Sequence, residues 1–438
     1  MNLRSKIILF FTSKKISDIF LILILIGSVL YKIGYKTLGS VLMGMGVIHG
    51  GIGLVILAIQ LYLALRASPD KTVSLVFGFF FVTWASTLSY GWLIGLLYID
   101  NIINNIAIFI ITAILGILII VKIIDVYFNK KFPSLRYNKY VEYISREEHY
   151  GGFTFPLGMK AFVLVGGADP QIIEMIKIHE EYHAINKHNL KQILFIYILF
   201  VFFSFLIKYN LWGTILSPLY FVTTMVAFLV LTRVFEVSAD AYMWRRLGPE
   251  AYERFKAFLK ARYGVEEPWK APWWSRLTHT SRRDITMTTG DPIGAHWELE
   301  FPLLFSLISA TLLALFLERS PLFSPLAVYA APSTIAGSLV AIFLLALVLR
   351  PLVRRFVDSR FTDRGVFNLS ALLSGLLFTT SFSSIFLGPL IYPPMYAVTA
   401  YFMRHYLASW RKALSLSGAG FAVLLAINAL LFLLLPRA

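Results

Sequence analysis

Residues His179, Glu180, Glu181, Tyr182 and His183 spell HEEYH, an instance of HExxH. On a helix, positions i and i+4 share one face about a turn apart, so both imidazoles can close on a single tetrahedral zinc. Glu180 stands beside that face, where its carboxylate reaches a zinc-bound water as general base without being a ligand. A catalytic zinc normally takes three protein ligands and leaves one position for water, so one more donor is needed. The chain has no cysteine, which excludes thiolate ligands, thiolate nucleophiles and disulfides and leaves His, Asp and Glu. Downstream, Glu236 and Asp240 are again i and i+4 on a predicted helix. Glu236 is the candidate third ligand, and Asp240 is the candidate partner that hydrogen-bonds a ligand imidazole and fixes its tautomer. The plainer alternatives are a chance HExxH on an exposed helix and a solvated acidic pair at a helix start, where carboxylates favour the macrodipole.

These residues need elements to hold them. Asp169 and Pro170 read as an N-cap and a proline at the first helical position, opening a helix from about 171 to 188 that carries HEEYH. Upstream, 151–155 and 161–165 are β-prone runs separated by five residues, a hairpin or a pair of edge strands. Everything else is dominated by apolar segments. Of 438 residues, 58% are hydrophobic and 15% charged, with mean hydropathy +0.72, which excludes an ordinary soluble globular protein. The expected fold is a polytopic α-helical membrane protein of about eleven transmembrane helices with a small α+β zincin-like catalytic domain. The spans are expected at 16–33, 38–65, 73–99, 102–124, 193–212, 215–231, 301–317, 326–349, 369–387, 389–402 and 414–435. Basic residues fall on alternate loops, above all 122–146, 233–283 and 350–364, which places the N-terminus and the catalytic domain in the cytoplasm of a multi-pass cell-membrane protein. The net charge of +16 therefore reflects topology, and nucleic acid is not an expected partner.

At HEEYH, at Glu236 to Asp240 and at the hairpin of spans between them, the chain resembles the HtpX-like integral-membrane zinc endopeptidases, relatives of the CAAX prenyl peptidases. The phrase Ser238-Ala-Asp-Ala-Tyr fits the same pattern, and the resemblance covers roughly 140–289. It implies one zinc per chain held by His179, His183 and Glu236, with Glu180 catalytic and the site facing the cytoplasm. It also implies that Ala161, Phe162, Val163, Leu164 and Val165 form the substrate-binding edge strand, to which an extended peptide adds by main-chain hydrogen bonds. The alternative is a strand fully paired within its own sheet. Family members carry Thr-His-Pro followed by an arginine; here Thr278-His279-Thr280 lacks the proline, and Arg282 and Arg283 come early. His279 is an oxyanion-stabiliser candidate or a solvated loop histidine. His188, where family members often carry a histidine, reads as structural.

The expected domains are N-terminal transmembrane helices at 1–128, a zinc peptidase domain at 129–298 with its membrane hairpin at about 193–231, and C-terminal helices of unassigned role at 299–438. The expected function is hydrolysis of peptide bonds in membrane or misfolded proteins, with polypeptide and the lipid bilayer as partners. Two rivals stand beside it: a non-catalytic scaffold or transporter with structural zinc, and a sensor-type signalling peptidase with the same ligand pattern. His49, His149 and His296 have no partner readable in the sequence. Up to Phe235 there are 15 Lys and 5 Arg, and from Glu236 onward 4 Lys and 16 Arg, so the halves could have separate ancestries or have drifted apart.

Overall fold

The computed structural model describes residues 134–137, 140–145, 151–157, 160–166, 169–192 and 214–434, with scattered single residues before and between these segments. The spans expected at 16–33, 38–65, 73–99, 102–124 and 193–212 lie wholly or almost wholly outside the described residues, as do His49 and His149. The chain divides into two compact units, and the one made of Arg136–Pro156, Lys160–Gln192 and Pro218–Ala438 contains every residue of the candidate site that is described.

Four strands, β1 (Ser134–Arg136), β2 (Tyr140–Ser145), β3 (Gly151–Leu157) and β4 (Lys160–Gly166), form a sheet in the order β1-β2-β4-β3. β2 and β4 run parallel, with Tyr140 opposite Ala161 and Ser145 opposite Gly166. One expectation is corrected here. Ala161, Phe162, Val163, Leu164 and Val165 lie in β4, which is bonded on both sides by β2 and β3, so its main-chain groups are already used and it cannot accept a peptide. Among the described strands, β3 stands at that border of the sheet.

Helix α1 (Pro170–Ile185) starts as its sequence dictates: the Asp169 side chain accepts from Gln171 N at 2.8 Å, and Pro170 occupies the first turn, where its missing N–H costs nothing. It ends three residues before 188. The Asn186 amide donates to Tyr182 O, and Lys187 takes a left-handed conformation at φ 53°. That reversal lets His188 turn back toward α1.

Helix α2 (Leu216–Leu247) joins two segments that the sequence suggested as separate, the apolar span and the helix of Glu236 and Asp240. Its 32 residues extend about 48 Å at 1.5 Å per residue, so the membrane part and the site part form one rod. Thr223, Thr232 and Ser238 on this rod each donate to the carbonyl four residues earlier, and Thr223 also meets Thr311 Oγ1 of a later helix at 2.9 Å. Then follow α3 (Glu250–Tyr263), α4 (Trp273–Thr278), α5 (Arg283–Thr289), α6 (Glu300–Glu318), α7 (Ala327–Arg354), α8 (Asp363–Leu387), α9 (Tyr392–Leu407) and α10 (Trp410–Leu434). Among the described residues, α2, α6, α7, α8 and α10 are long and apolar enough to cross a membrane. The span expected at 389–402 folds as a 3-10 turn at Pro389–Ile391 followed by the first part of α9, whose 16 residues fall short of the ~20 a crossing needs.

One apolar core joins α1, the end of α2 and α3 through Met175, Ile176, Met243 and Phe255. A second runs through α2 and α6 to α10, with Phe301, Leu373 and Tyr406 fully buried. Between these helices, buried Asp291 accepts from Ile293 N and Gly294 N with one oxygen and from Thr362 N and Oγ1 with the other. Thr362 in turn caps α8 by accepting from Gly365 N. A Cβ at Gly365 would sit 2.0 Å from Asp291 Oδ2, so a glycine is required for this close approach.

Candidate metal centre

α1 presents His179 and His183 on one face, and α2 brings Glu236 to them. One ligand atom from each of the three lies within 4.8 Å of the others. His179 Nε2 is 3.1 Å from Glu236 Oε2 and 3.1 Å from His183 Nε2, while His183 Nε2 is 3.7 Å from Glu236 Oε1. Donors on a tetrahedral zinc, with bonds of about 2.0–2.1 Å, are separated by about 3.3 Å, so this spacing fits such an ion. Among the described residues this set is the only one that could hold a metal, and it contains three protein donors.

The outer nitrogens are also engaged. Asp240 Oδ1 lies 3.0 Å from His179 Nδ1, and Arg283 grips the same carboxylate with Nε to Oδ2 at 2.7 Å and Nη2 to Oδ1 at 2.6 Å. The Arg283 guanidinium lies 4.6 Å from the centre of the Phe255 ring, which fixes its plane. His188 Nδ1 lies 2.9 Å from His183 Nδ1, and its ring stacks on Phe235 at 4.1 Å. An imidazole that gives its Nε2 lone pair to a cation carries its proton on Nδ1. Here Nδ1 of His179 faces the Asp240 carboxylate, and Nδ1 of His183 faces Nδ1 of His188, which accepts in the tautomer protonated on Nε2. His188 is the packing residue the sequence suggested and also touches a ligand.

Electrostatics distinguish the two histidines. Burial alone would lower His179, yet Asp240 and Glu236 overcome it and lift its pKa to about 10. His183, buried with weaker compensation and repelled by His179, drops to about 4. Burial pushes the Glu180 carboxyl up, opposed by His179 and by Thr154. The Thr154 hydroxyl donates to Glu180 Oε2 at 2.6 Å, and Gly152 is so close that a Cβ there would fall 2.4 Å from Glu180 Cγ. Strand β3 therefore lies directly against Glu180.

His279, at the end of α4, enters the site: its Nε2 is 2.8 Å from Glu236 Oε2, with Thr278 Oγ1 3.0 Å from Nδ1. Arg233 steadies this turn by donating to the carbonyls of Leu277 and Arg276. Two pairings were not readable in the sequence. Ser238 and His405 of α9 are 2.7 Å apart, and His296 pairs with buried Glu300 at 3.2 Å. Arg283 and Thr154 sit next to readable features, the Thr-His motif and a β-prone run, whereas His405 is 167 residues from its partner and left no local signal.

Comparison of the chain with models of known protein families, with curated proteins and with solved structures found no match.

Proposed function

We propose that the chain is a membrane-embedded, zinc-dependent endopeptidase that hydrolyses peptide bonds of membrane or misfolded proteins at the cytoplasmic face. The observation that carries this reading is the close set of His179, His183 and Glu236, with Glu180 held between α1 and β3 beside it. The spacing of the three donors suits zinc, and a set of three rather than four leaves a position for water, which favours catalysis over a structural metal.

A zinc ion bound there supplies Lewis acidity toward a carbonyl and lowers the pKa of a coordinated water. Glu180 takes the proton of the attacking water and passes it to the amine nitrogen as the C–N bond breaks. Burial raises the Glu180 carboxyl above its ordinary value, which makes it a better proton acceptor than an exposed glutamate. Asp240, clamped by Arg283, holds His179, and His188 holds His183. The substrate strand adds to β3 rather than β4, since β3 has the border position and touches Glu180 through Thr154. His279 is the group assigned to the carbonyl oxygen; its Nε2 faces Glu236, so the role requires the ring to swing toward the substrate.

Protein purified in detergent tests this directly. The wild type should carry about one equivalent of zinc, set by its single three-donor cluster, and cleave casein. His183→Ala should lose both together. A His183→Ala protein cleaving at the parental rate would overturn the reading.

A further inference from the structure

The segment 268–277, Pro-Trp-Lys-Ala-Pro-Trp-Trp-Ser-Arg-Leu, leaves large apolar side chains exposed among the described residues. Trp273 is 68% exposed and Trp269 47%, and Leu277 is exposed on α4 at i+4 from Trp273, hence on the same side. The segment is cross-braced, since Arg276 Nη1 donates to Trp269 O at 3.0 Å. Exposed aromatic surface on a braced loop calls for an occupant.

Its place in the fold says which one. Arg233 is the first charged residue of α2 after a run from 216 to 232 with none, and Glu300 is the first residue of α6. These are the points where two candidate spans leave the apolar phase. The Arg233 guanidinium lies 3.5 Å from Glu300 and at the same time donates to the carbonyls of Leu277 and Arg276. The C-terminal end of α4 is thereby tied to the level at which the apolar run of α2 stops and α6 begins. Exposed Trp297, three residues before Glu300, and exposed Trp410, the first residue of α10, belong to the ends of spans as well. Tryptophan favours that level because its ring is apolar and its N–H is polar. Charge agrees: from 268 to 283 there are four Lys or Arg residues and no Asp or Glu.

We propose that residues 268–277 form a wedge seated in the headgroup layer of an anionic bilayer, with Trp269, Trp273 and Leu277 in the acyl boundary. Thr278 and His279 follow at once, and Glu236 lies three residues beyond Arg233, about 4.5 Å along the helix. The metal centre is thus held against the bilayer surface. On the peptidase reading proposed above, the bonds it cuts lie where a chain emerges from the membrane.

The absence of cysteine makes the test clean. Leu277→Cys, and separately Trp273→Cys, would carry a nitroxide label in full-length protein reconstituted into phosphatidylcholine and phosphatidylglycerol vesicles. Glu253→Cys, on the exposed side of α3, is the aqueous reference. Collision with oxygen against a water-soluble nickel chelate should place the labels at 273 and 277 about 5–10 Å into the boundary, as for interfacial helices. The label at 253 should read as water. If the labels at 273 and 277 met the nickel chelate as freely as that at 253, the wedge would be refuted, and the aromatic side would be open to polypeptide instead. This readout needs no turnover, so the wedge and the peptidase reading fail separately.

Discussion

His179 carries the largest electrostatic consequence in the metal-free protein. Its proton is held between Glu236 and Asp240, so its pKa rises to about 10 against an ordinary value of 6.5. A raised folded-state value means that this contribution to the stability of the metal-free fold is fully present below pH 6.5. It is then lost as the pH climbs through about 10. His183, at about 4, is already neutral near pH 7. A metal needs both Nε2 lone pairs, so binding near neutrality must expel the His179 proton, and this group alone makes affinity rise about tenfold per pH unit up to that pKa. Calorimetry of zinc binding at pH 7 in buffers of different ionisation heats should report about one proton released, the one held on His179. Binding with no proton release would contradict the carboxylate cage. The ligands themselves were legible because HExxH and the Glu236-Asp240 pair follow helix spacing; Arg283 as the clamp on Asp240 was not, since nothing in a sequence tells which arginine folds back.

At the scale of elements, the close approach of β3 to α1 sets the position of Glu180. Gly152 leaves no room for a side chain, and an added Cβ would meet Glu180 Cγ at 2.4 Å and Ile176 Cγ2 at 2.5 Å. Gly152→Ala should therefore displace the Glu180 carboxylate while leaving the three metal donors in place. The expected result is zinc content near that of the wild type with cleavage reduced by about 10²-fold, the scale at which a displacement of about an ångström affects catalysis. Unchanged cleavage of casein would mean that β3 does not position Glu180. β3 and β4 were legible as β-prone runs and α1 from Asp169 and Pro170, whereas β1 and β2 were not picked out from the polar stretch that holds them. The order of the strands was not legible. Runs 151–155 and 161–165 look alike locally, and only the parallel pairing of β4 with β2 decides which becomes the border. The continuity of α2 was hidden for a related reason: hydropathy falls at Arg233, but the backbone hydrogen-bond ladder does not stop there.

For the whole molecule, the site and the C-terminal helices belong to one compact unit, and the junction near residue 236, where lysine gives way to arginine, falls inside α2. His179 and His183 come from one side of that junction and Glu236 from the other, so whatever the ancestry, neither half holds the metal set alone. The helices of 299–438, whose role the sequence left open, pack on α2 and fix its register through Ser238 and His405. Asp291, Thr362 and Gly365 lock the entry to α6 against the start of α8. Gly365→Ala should force that joint apart and destabilise the protein by about 1–3 kcal/mol, the usual scale for overpacking a close contact. A thermal melt in detergent with an unshifted midpoint would show that the joint is slack.

The peptidase reading depends most directly on Glu180. Glu180→Gln preserves shape and the Thr154 contact but removes the proton acceptor. Zinc content and casein cleavage, measured side by side on purified wild type and Glu180→Gln, should give equal metal in both and turnover lower by at least about 10²-fold in the variant, the scale of general-base catalysis. Equal metal with equal turnover would contradict the assignment of Glu180 and with it the proposed chemistry of the site.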